Sequence, residues 1–535
     1  MLSTVTVVAV NWSHLRKKTR TRVSNNQSSA KTVTQTATQA VTQAKFVEGN
    51  ILRHILVMSS TAAVGISALF VVDLLDIFFL SMLGELELAA AVGYAGTISF
   101  FTTSIGIGLS IALGALVSRA VGARDTEGAK RLLLNAAMVT LLVSSLMAIV
   151  VTALIPELLA LVGARGHTAE LAADYLYILV PSLPVICLAM ALGSALRAVG
   201  DARLSMLSTL AGGAVNAVFD PIFIFLFAMG IEGAATASVL ARLSVLLIAA
   251  RGVFIKHGLW SRFELASFRG DLRAIFAIAG PAMLTNVATP IGNAVVTRAI
   301  ADFGDSFVAG WAVVGRLTPV AFGMIFALSG AIGPIIGQNY GARAYDRLSE
   351  CLTRALQFCI AYVLGMSLLL WLLREPLVLA FDMRGDSAEL VRFFCQYMAL
   401  FFLFNGALFV ANASFNNLGK AKYSTAFNVG KATIGTLPFV YLGAELGGVY
   451  GVLIGQALGS VLFGVLAVIT AYRLVARVAA NGRQQGLEAD GLDEEELSMA
   501  SSSPLSSSCT QMGQMTEELE PIASAQATSP QRERS

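Results

Sequence analysis

The sequence predicts an all-α polytopic membrane protein: twelve transmembrane helices arranged as two six-helix repeats. Three observations predict it. The 535 residues are 56% hydrophobic and only 13% charged, with a mean hydropathy of +0.71, whereas soluble domains carry about 25% charged residues. Twelve apolar segments, each near the ~20 residues that cross a hydrocarbon core, fill residues 54–474. Two loop sequences recur in the second half at one fixed offset. Lipid forces backbone groups to pair within a segment, so the segments read as helices.

Residues 1–47 contain no Asp or Glu, but they carry Arg16, Lys17, Lys18, Arg20, Arg22, Lys31 and Lys45 among many Ser and Thr. An acid-free, hydroxyl-rich start of this kind resembles an organelle transit peptide; the competing reading is a cytosolic tail. Residues 1–50 are therefore a disordered basic tail or transit peptide. The membrane is then a plastid or other organelle envelope, or otherwise the plasma or vacuolar membrane. An N lobe (51–257), a cytosolic linker (258–273) and a C lobe (274–475) follow. Residues 476–535 form a Ser-rich tail with acidic clusters at Asp493–Glu496 and Glu517–Glu520, a composition that cannot bury a core.

The expected spans are 54–82, 88–117, 132–154, 169–195, 204–228, 233–255, 271–300, 306–335, 350–373, 387–415, 422–443 and 448–473. Loop charge alternates between them. One set of connections carries Arg119, Arg124, Lys130 and Arg131; Arg197 and Arg203; Arg251, Lys256, Arg262, Arg269 and Arg273; Arg343 and Arg347; Lys420 and Lys422. The intervening connections GELEL (84–88), AMGIEG (228–233), ADFGDS (301–306) and GAELGG (443–448) contain no base. The positive-inside rule puts the first set, and both termini, in the cytosol or its equivalent. Two termini on one side require an even number of spans.

The repeat is local but regular. VGARDTEGAKRLLLNA (121–136) aligns with YGARAYDRLSECLTRA (340–355), and AVGDARLS (198–205) with NLGKAKYS (417–424). Gly122 pairs with Gly341 and Gly200 with Gly419, both 219 residues apart. GIEG (230–233) pairs with GVYG (448–451) with a drift of one residue. Six helices per repeat give both halves the same orientation, related by an axis along the membrane normal, with a substrate site between them.

Charges inside the spans select the candidate site. Asp73 and Asp76 lie in the first segment, and Asn216 and Asp220, one helical turn apart, lie in the fifth. A charge at the bilayer centre costs about 3 kcal/mol, so it is kept where it meets a cavity or a partner. Pro221 removes a backbone donor and is expected to bend the helix beside Asp220. Burial and a neighbouring carboxylate both favour the protonated form. Asp76 and Asp220 are thus expected to hold a proton near neutral pH, or to share a cation with Asn216. The acids are not repeated: the equivalents of Asp76 and Asp220 are Val295 and Phe439. The competing reading is that the acids only tie helices together, and for Asp73 the two readings are balanced.

Other chemistries find no support. Cys187, Cys351, Cys359, Cys395 and Cys509 show no metal or redox spacing, and no His/Cys/Ser constellation sits inside the membrane, so neither an enzyme nor a metal site is expected. The glycine-rich pieces lack the context of a nucleotide loop and read as close helix packing. No cofactor is expected beyond a coupling ion, H⁺ or Na⁺. The expected partners are a small organic substrate and the lipid bilayer, without nucleic acid, around a monomer. Tyr175, Asn286, Asn293 and Asn405 are the side chains expected at the substrate cavity. No Arg or Lys is read mid-membrane in the N half. Arg298, at the end of the seventh segment, is the nearest case, and no basic cavity is expected.

Over residues 50–475 the chain resembles the multidrug and toxic compound extrusion (MATE) family. Asp76–Gly84 resembles its D-T-x-F-V-G-x-L-G pattern, Gly122-Ala-Arg-Asp its G-A-x-D turn, Leu196–Asp201 its L-R-x-x-G-D, and Asn216–Ile224 its N-x-x-x-D-P-x-x-I. The resemblance implies two bundles forming a V and a cation-coupled antiporter for organic, often cationic, compounds. It further implies a coupling site at Asp76, Asn216 and Asp220, with Ser238 where the DinF-like branch often has Thr. The acids of the NorM branch are replaced by Asn286, Asn293, Asn405 and Asn412, which points to the DinF-like, H⁺-coupled type in a plant or algal relative. The first helix lacks the family's proline; Gly65 is its candidate substitute. Alternatives of the same superfamily are an organic-acid or metabolite exporter and a lipid-linked precursor flippase. A major facilitator is disfavoured because Gly122–Arg131 does not match that fold's loop.

Overall fold

The computed structural model describes residues 44–81 and 86–489. Calls on residues 1–43, on the tail beyond 489 and on Cys509 fall outside the described residues, as do the side chains of Asp73 and Asp76. Helices α1 (Ile51–Ser81), α2 (Leu86–Gly122) and α3 (Thr126–Ala153) open the N lobe. After a short helix, Ile155–Leu161, come α4 (Gly166–Ala198), α5 (Ala202–Leu226) and α6 (Gly230–Lys256). The C lobe continues with α7 (Leu265–Ala301), α8 (Asp305–Gly341), α9 (Tyr345–Ala380) and α10 (Asp386–Asn417).

The last apolar stretch, Ala421–Gln484, is 64 residues long. As one helix it would measure about 96 Å at 1.5 Å per residue, against a hydrocarbon core of about 30 Å. It is broken at Gly447 (φ −142°, ψ 17°) and Gly448 (φ 60°, ψ −143°). The two arms pack glycine against backbone: a Cβ on Gly459 would sit 1.7 Å from the Gly435 carbonyl oxygen, and one on Gly451 1.9 Å from that of Gly443. The chain therefore reverses there, giving α11 (421–446) and α12 (449–489), and twelve crossings.

Most helices overrun their expected spans, because hydropathy registers only the part in hydrocarbon; α5 instead ends two residues early, at Leu226. The start of α7 illustrates the overrun. Its first turns are polar, and Asp271 accepts hydrogen bonds from Arg131 (3.2 Å) and Asn135 (2.7 Å) of α3. The lipid side is equally legible: Leu142, Leu146 and Ile149 form an exposed stripe on α3, the inverse of a soluble helix. Helix α1 is continuous, and Gly65 packs 3.7 Å from Thr209 of α5, counting an added Cβ.

The repeat is built into the backbone. Arg124 and Arg343, 219 residues apart, both adopt positive φ (59° and 57°) after α2 and α8; Gly200 (80°) and Gly419 (77°) do so after α4 and α10. The same offset relates the contacts between lobes. A Cβ on Gly122 would lie 2.1 Å from the Gln338 carbonyl oxygen, and one on Gly341 2.0 Å from that of Arg119. Arg119 Nε donates to the Asn417 carbonyl (2.7 Å), and Gln338 Nε2 donates to the Ala198 carbonyl (2.7 Å). Each contact is the other shifted by one repeat, as a pseudo-twofold axis requires. Ser118 meets its own equivalent, Gly337, at that axis.

These contacts lie at the basic-loop ends of α2, α4, α8 and α10, so the lobes are joined at that end of the bundle. Residues 44–50 thread into the same seam. Phe46, 4% exposed, donates its amide to Gln338 Oε1 (2.9 Å), and its carbonyl accepts from Asn339 (3.1 Å) and Arg347 (3.3 Å). Lys45 and Phe46 also cover Gly200 of the N lobe. The segment before α1 thus touches both lobes.

Candidate functional site

Helix α5 is capped and then deliberately irregular. Asp201 accepts from the Leu204 amide (3.3 Å) at its start. Pro221 ends the regular α-helix, and Ile222–Leu226 continues as a π-helical turn, the bend expected from a proline that lacks an amide. Helix α6 packs tightly on this turn: a Cβ on Gly233 would lie 2.8 Å from the Phe223 carbonyl carbon.

Asp220 stands one residue before the irregularity. It has no exposed surface, and Asn216, 3% exposed, donates to its Oδ2 at 2.8 Å. The sequence-predicted pair is therefore together. Helices α1 and α5 run in parallel register, with Gly65 against Thr209 and Val72 near Gly213. Continuing that register by one turn brings the backbone of Asp76 level with the Asn216–Asp220 turn. Ser238 is half-buried on α6. Tyr175 is buried in an apolar cluster with Leu88, Leu176, Leu179 and Ile231, away from open surface.

In the C lobe, Asn286 donates to the Ala282 carbonyl of its own helix (2.8 Å), and Asn293 is exposed. Asn405 accepts from Lys431, while Asn412 is buried and accepts from Asn428 (3.0 Å). Asn412 is thus a bridge between α10 and α11.

The expectation that no cation lies mid-membrane in the N half is corrected. Arg242 lies at the middle of α6 and donates from Nη1 to Ser182 Oγ (2.8 Å) and to the Leu179 carbonyl (3.1 Å). That carbonyl lacks its helical amide because Pro181 tightens α4 into a 3₁₀ turn and the Leu183 amide turns to Val180 instead; it also accepts from Ser182 Oγ (2.7 Å). Arg242 thereby satisfies a break in the next helix, which gives it a structural role. Lys431 on α11 and Arg316 on α8 also lie inside apolar spans. A single charge barely lowers a long hydropathy average, so such residues do not stand out from the sequence.

At the basic-loop end a second cluster forms. Asp201 Oδ2 takes hydrogen bonds from Lys256 (2.7 Å) and from His257 (2.8 Å), which is 5% exposed. Burial works against the Asp201 carboxylate, but the bonds from His257 and Lys256, the Lys256 charge and the Leu204 amide outweigh it. They hold the group well below the ordinary carboxylate range. The cluster ties the start of α5 to the end of α6.

Twelve spans in two like-oriented halves, with an acid buried in one half beside a broken helix, define a polytopic transporter of the repeat type. The MatE family model matches residues 62–222 and 281–442, two copies that begin 219 residues apart. The chain belongs to the MATE family of transporters. It is 28% identical over 440 residues to the FAD transporter of Shewanella oneidensis, covering 80% of this chain and 96% of that protein. It is 22% identical over 441 residues to the multidrug export protein MepA of Staphylococcus aureus, covering 82% and 97%. Among solved structures, an aspartate-to-asparagine mutant of the Vibrio cholerae MATE transporter VcmN matches with a TM-score of 0.76 at 26% identity. That match covers 80% of this chain and 98% of the other.

Proposed function

We propose that the protein is a secondary active antiporter of the DinF-like type. It exports organic compounds by alternating access in exchange for a cation, H⁺ in preference to Na⁺. The observation that carries this reading is Asp220, an acid without exposed surface, hydrogen-bonded to Asn216 and set against the π-helical turn after Pro221. Such an acid changes its hydration and partners when α5 and α6 rearrange, so its proton occupancy depends on which side is open. In this reading Asp76 shares the ion with Asp220 and Asn216; Ser238 and Asp73 complete its surroundings.

The test is efflux from cells lacking their own pumps, loaded with ethidium or with FAD. Wild type, Asp220→Asn and Asp76→Asn are compared at matched expression, with and without a proton uncoupler. The reading expects export of at least one compound to stop with uncoupler and in both variants. Wild-type export by both variants would assign the acids to helix packing. Residues 1–47 are proposed as an organelle address. A fluorescent fusion without them should lose the localisation of the full chain, and unchanged localisation would refute the address.

A further inference from the structure

We propose that the C lobe carries an anion subsite at Lys431 and Asn405, with Arg316 as a second cation, and that the exported compound carries a carboxylate or phosphate. This rests on the antiporter reading and specifies its substrate class.

The argument starts from the repeat. The fifth helix of each half, α5 and α11, is interrupted inside the membrane. In α5 the interruption is Pro221 and the π-helical turn. In α11 it is residues 433–436, where Thr433 leaves helical geometry (φ −101°, ψ −81°), the Gly435 amide bonds the Gly430 carbonyl (2.9 Å) and Thr436 Oγ1 donates to the Lys431 carbonyl (2.8 Å). Each interruption adjoins one ionisable residue, and the two have opposite charge: Asp220 in the N lobe and Lys431 in the C lobe. Their repeat equivalents, Phe439 and Gly212, are neutral, so neither residue is an inherited packing feature of both halves. Broken helices near the midplane are where repeat transporters expose backbone and side chains to substrate.

Lys431 lies about 15 Å from the start of α11 at 1.5 Å per residue, well inside the hydrocarbon layer. It is half-buried, and its ammonium contacts the neutral amide of Asn405. Helix α7 passes at the same level, with Gly292 packed on Ala432 and the exposed Asn293 next to it. Arg316 lies about 16 Å from the outer end of α8 and is exposed. Among the described residues neither cation belongs to an ion pair. Arg242 differs, being consumed by the α4 break. A charge at this depth is retained where it meets water or a counter-charge, and a cation without an ion-pair partner favours an anionic ligand. The amide of Asn405 can turn its N–H groups toward a bound oxyanion once Lys431 engages it.

The test is equilibrium binding to the purified full chain, with no ion gradient. FAD is the phosphate probe, citrate the carboxylate probe and ethidium the cationic probe. Wild type should bind at least one anion, and more weakly as salt rises. Lys431→Gln should weaken that binding at least tenfold, Lys431→Arg should restore most of it, and ethidium binding should not fall. Arg316→Gln, which alters an exposed side chain, should lower anion affinity in the same direction and serves if Lys431→Gln fails to melt cooperatively. The relative losses for FAD and citrate identify the anionic group. The proposal is overturned if wild type binds neither anion, or if Lys431→Gln and Arg316→Gln bind them as wild type does. Gradient-driven transport that survives Asp220→Asn would refute the coupling reading alone, because equilibrium anion binding does not use the gradient.

Discussion

A carboxylic acid without exposed surface is kept inside a membrane helix where it meets a cavity or a hydrogen-bond partner. Asp220 has such a setting, with Asn216 one turn below and the proline-broken turn above. Asp220→Asn keeps the shape and the Asn216 contact but fixes the charge, so gradient-driven export should fall at least tenfold while the protein melts within a few degrees of wild type. Asn216→Ala removes the donor and should weaken export less, which efflux rates at matched expression would resolve. Asp201 makes a different prediction. An acid held below its unfolded value of about 3.9 adds stability above that value and loses it as pH falls toward the folded one. The melting-temperature loss in Asp201→Asn should be full at pH 7 and shrink below about pH 4. The acids were legible in the sequence because a carboxylate in an apolar run is conspicuous. Lys431 and Arg242 were harder, since their value depends on which carbonyl or amide the fold brings alongside.

At the scale of elements, interruptions and close approaches decide how the helices pack. The α11–α12 hairpin depends on Gly435, Gly443, Gly451 and Gly459, where the two backbones nearly touch. Gly459→Ala places a methyl 1.7 Å from the Gly435 carbonyl oxygen and should cost about 1–3 kcal/mol through forced separation. The control Gly365→Ala, with nothing within 4 Å, should be neutral or slightly stabilising. Thermal unfolding in detergent checks both. The twelve helices were readable from hydropathy and loop charge, and the Pro221 break from the proline itself. The break at 433–436 was not readable, because it depends on the Thr436 hydroxyl reaching back to the Lys431 carbonyl. The early start of α7 at Leu265 was hidden because the residues before 271 read as part of a basic loop, with Arg262 and Arg269.

At the scale of the molecule the repeat becomes a hinge. Arg119 with the Asn417 carbonyl and Gln338 with the Ala198 carbonyl are one contact used twice, and the segment at Phe46 covers both halves beside it. In the proposed alternating-access cycle, opening the bundle at this end breaks this set. Hydrogen bonds to charged groups contribute about 1.5–3 kcal/mol, so Arg119→Ala should shift the closed–open balance roughly 10- to 100-fold. A Ser118→Cys reporter, in a background lacking the native cysteines, should then react faster with a cytosolic, membrane-impermeant maleimide. The offset of 219 was visible in two loops, but the pairing of Arg119 with Gln338 was not, since those residues differ in type and match only in position.

The most direct test of the central claim joins these scales. Purified protein is reconstituted in liposomes, a compound exported in the cell assay is supplied, and uptake is driven by an imposed pH gradient, for wild type and Asp220→Asn. The account predicts that the gradient accelerates wild-type transport and leaves Asp220→Asn unaccelerated, although that variant still exchanges the compound across the membrane without a gradient. Equal acceleration in both proteins would contradict the assignment of Asp220 as the coupling acid.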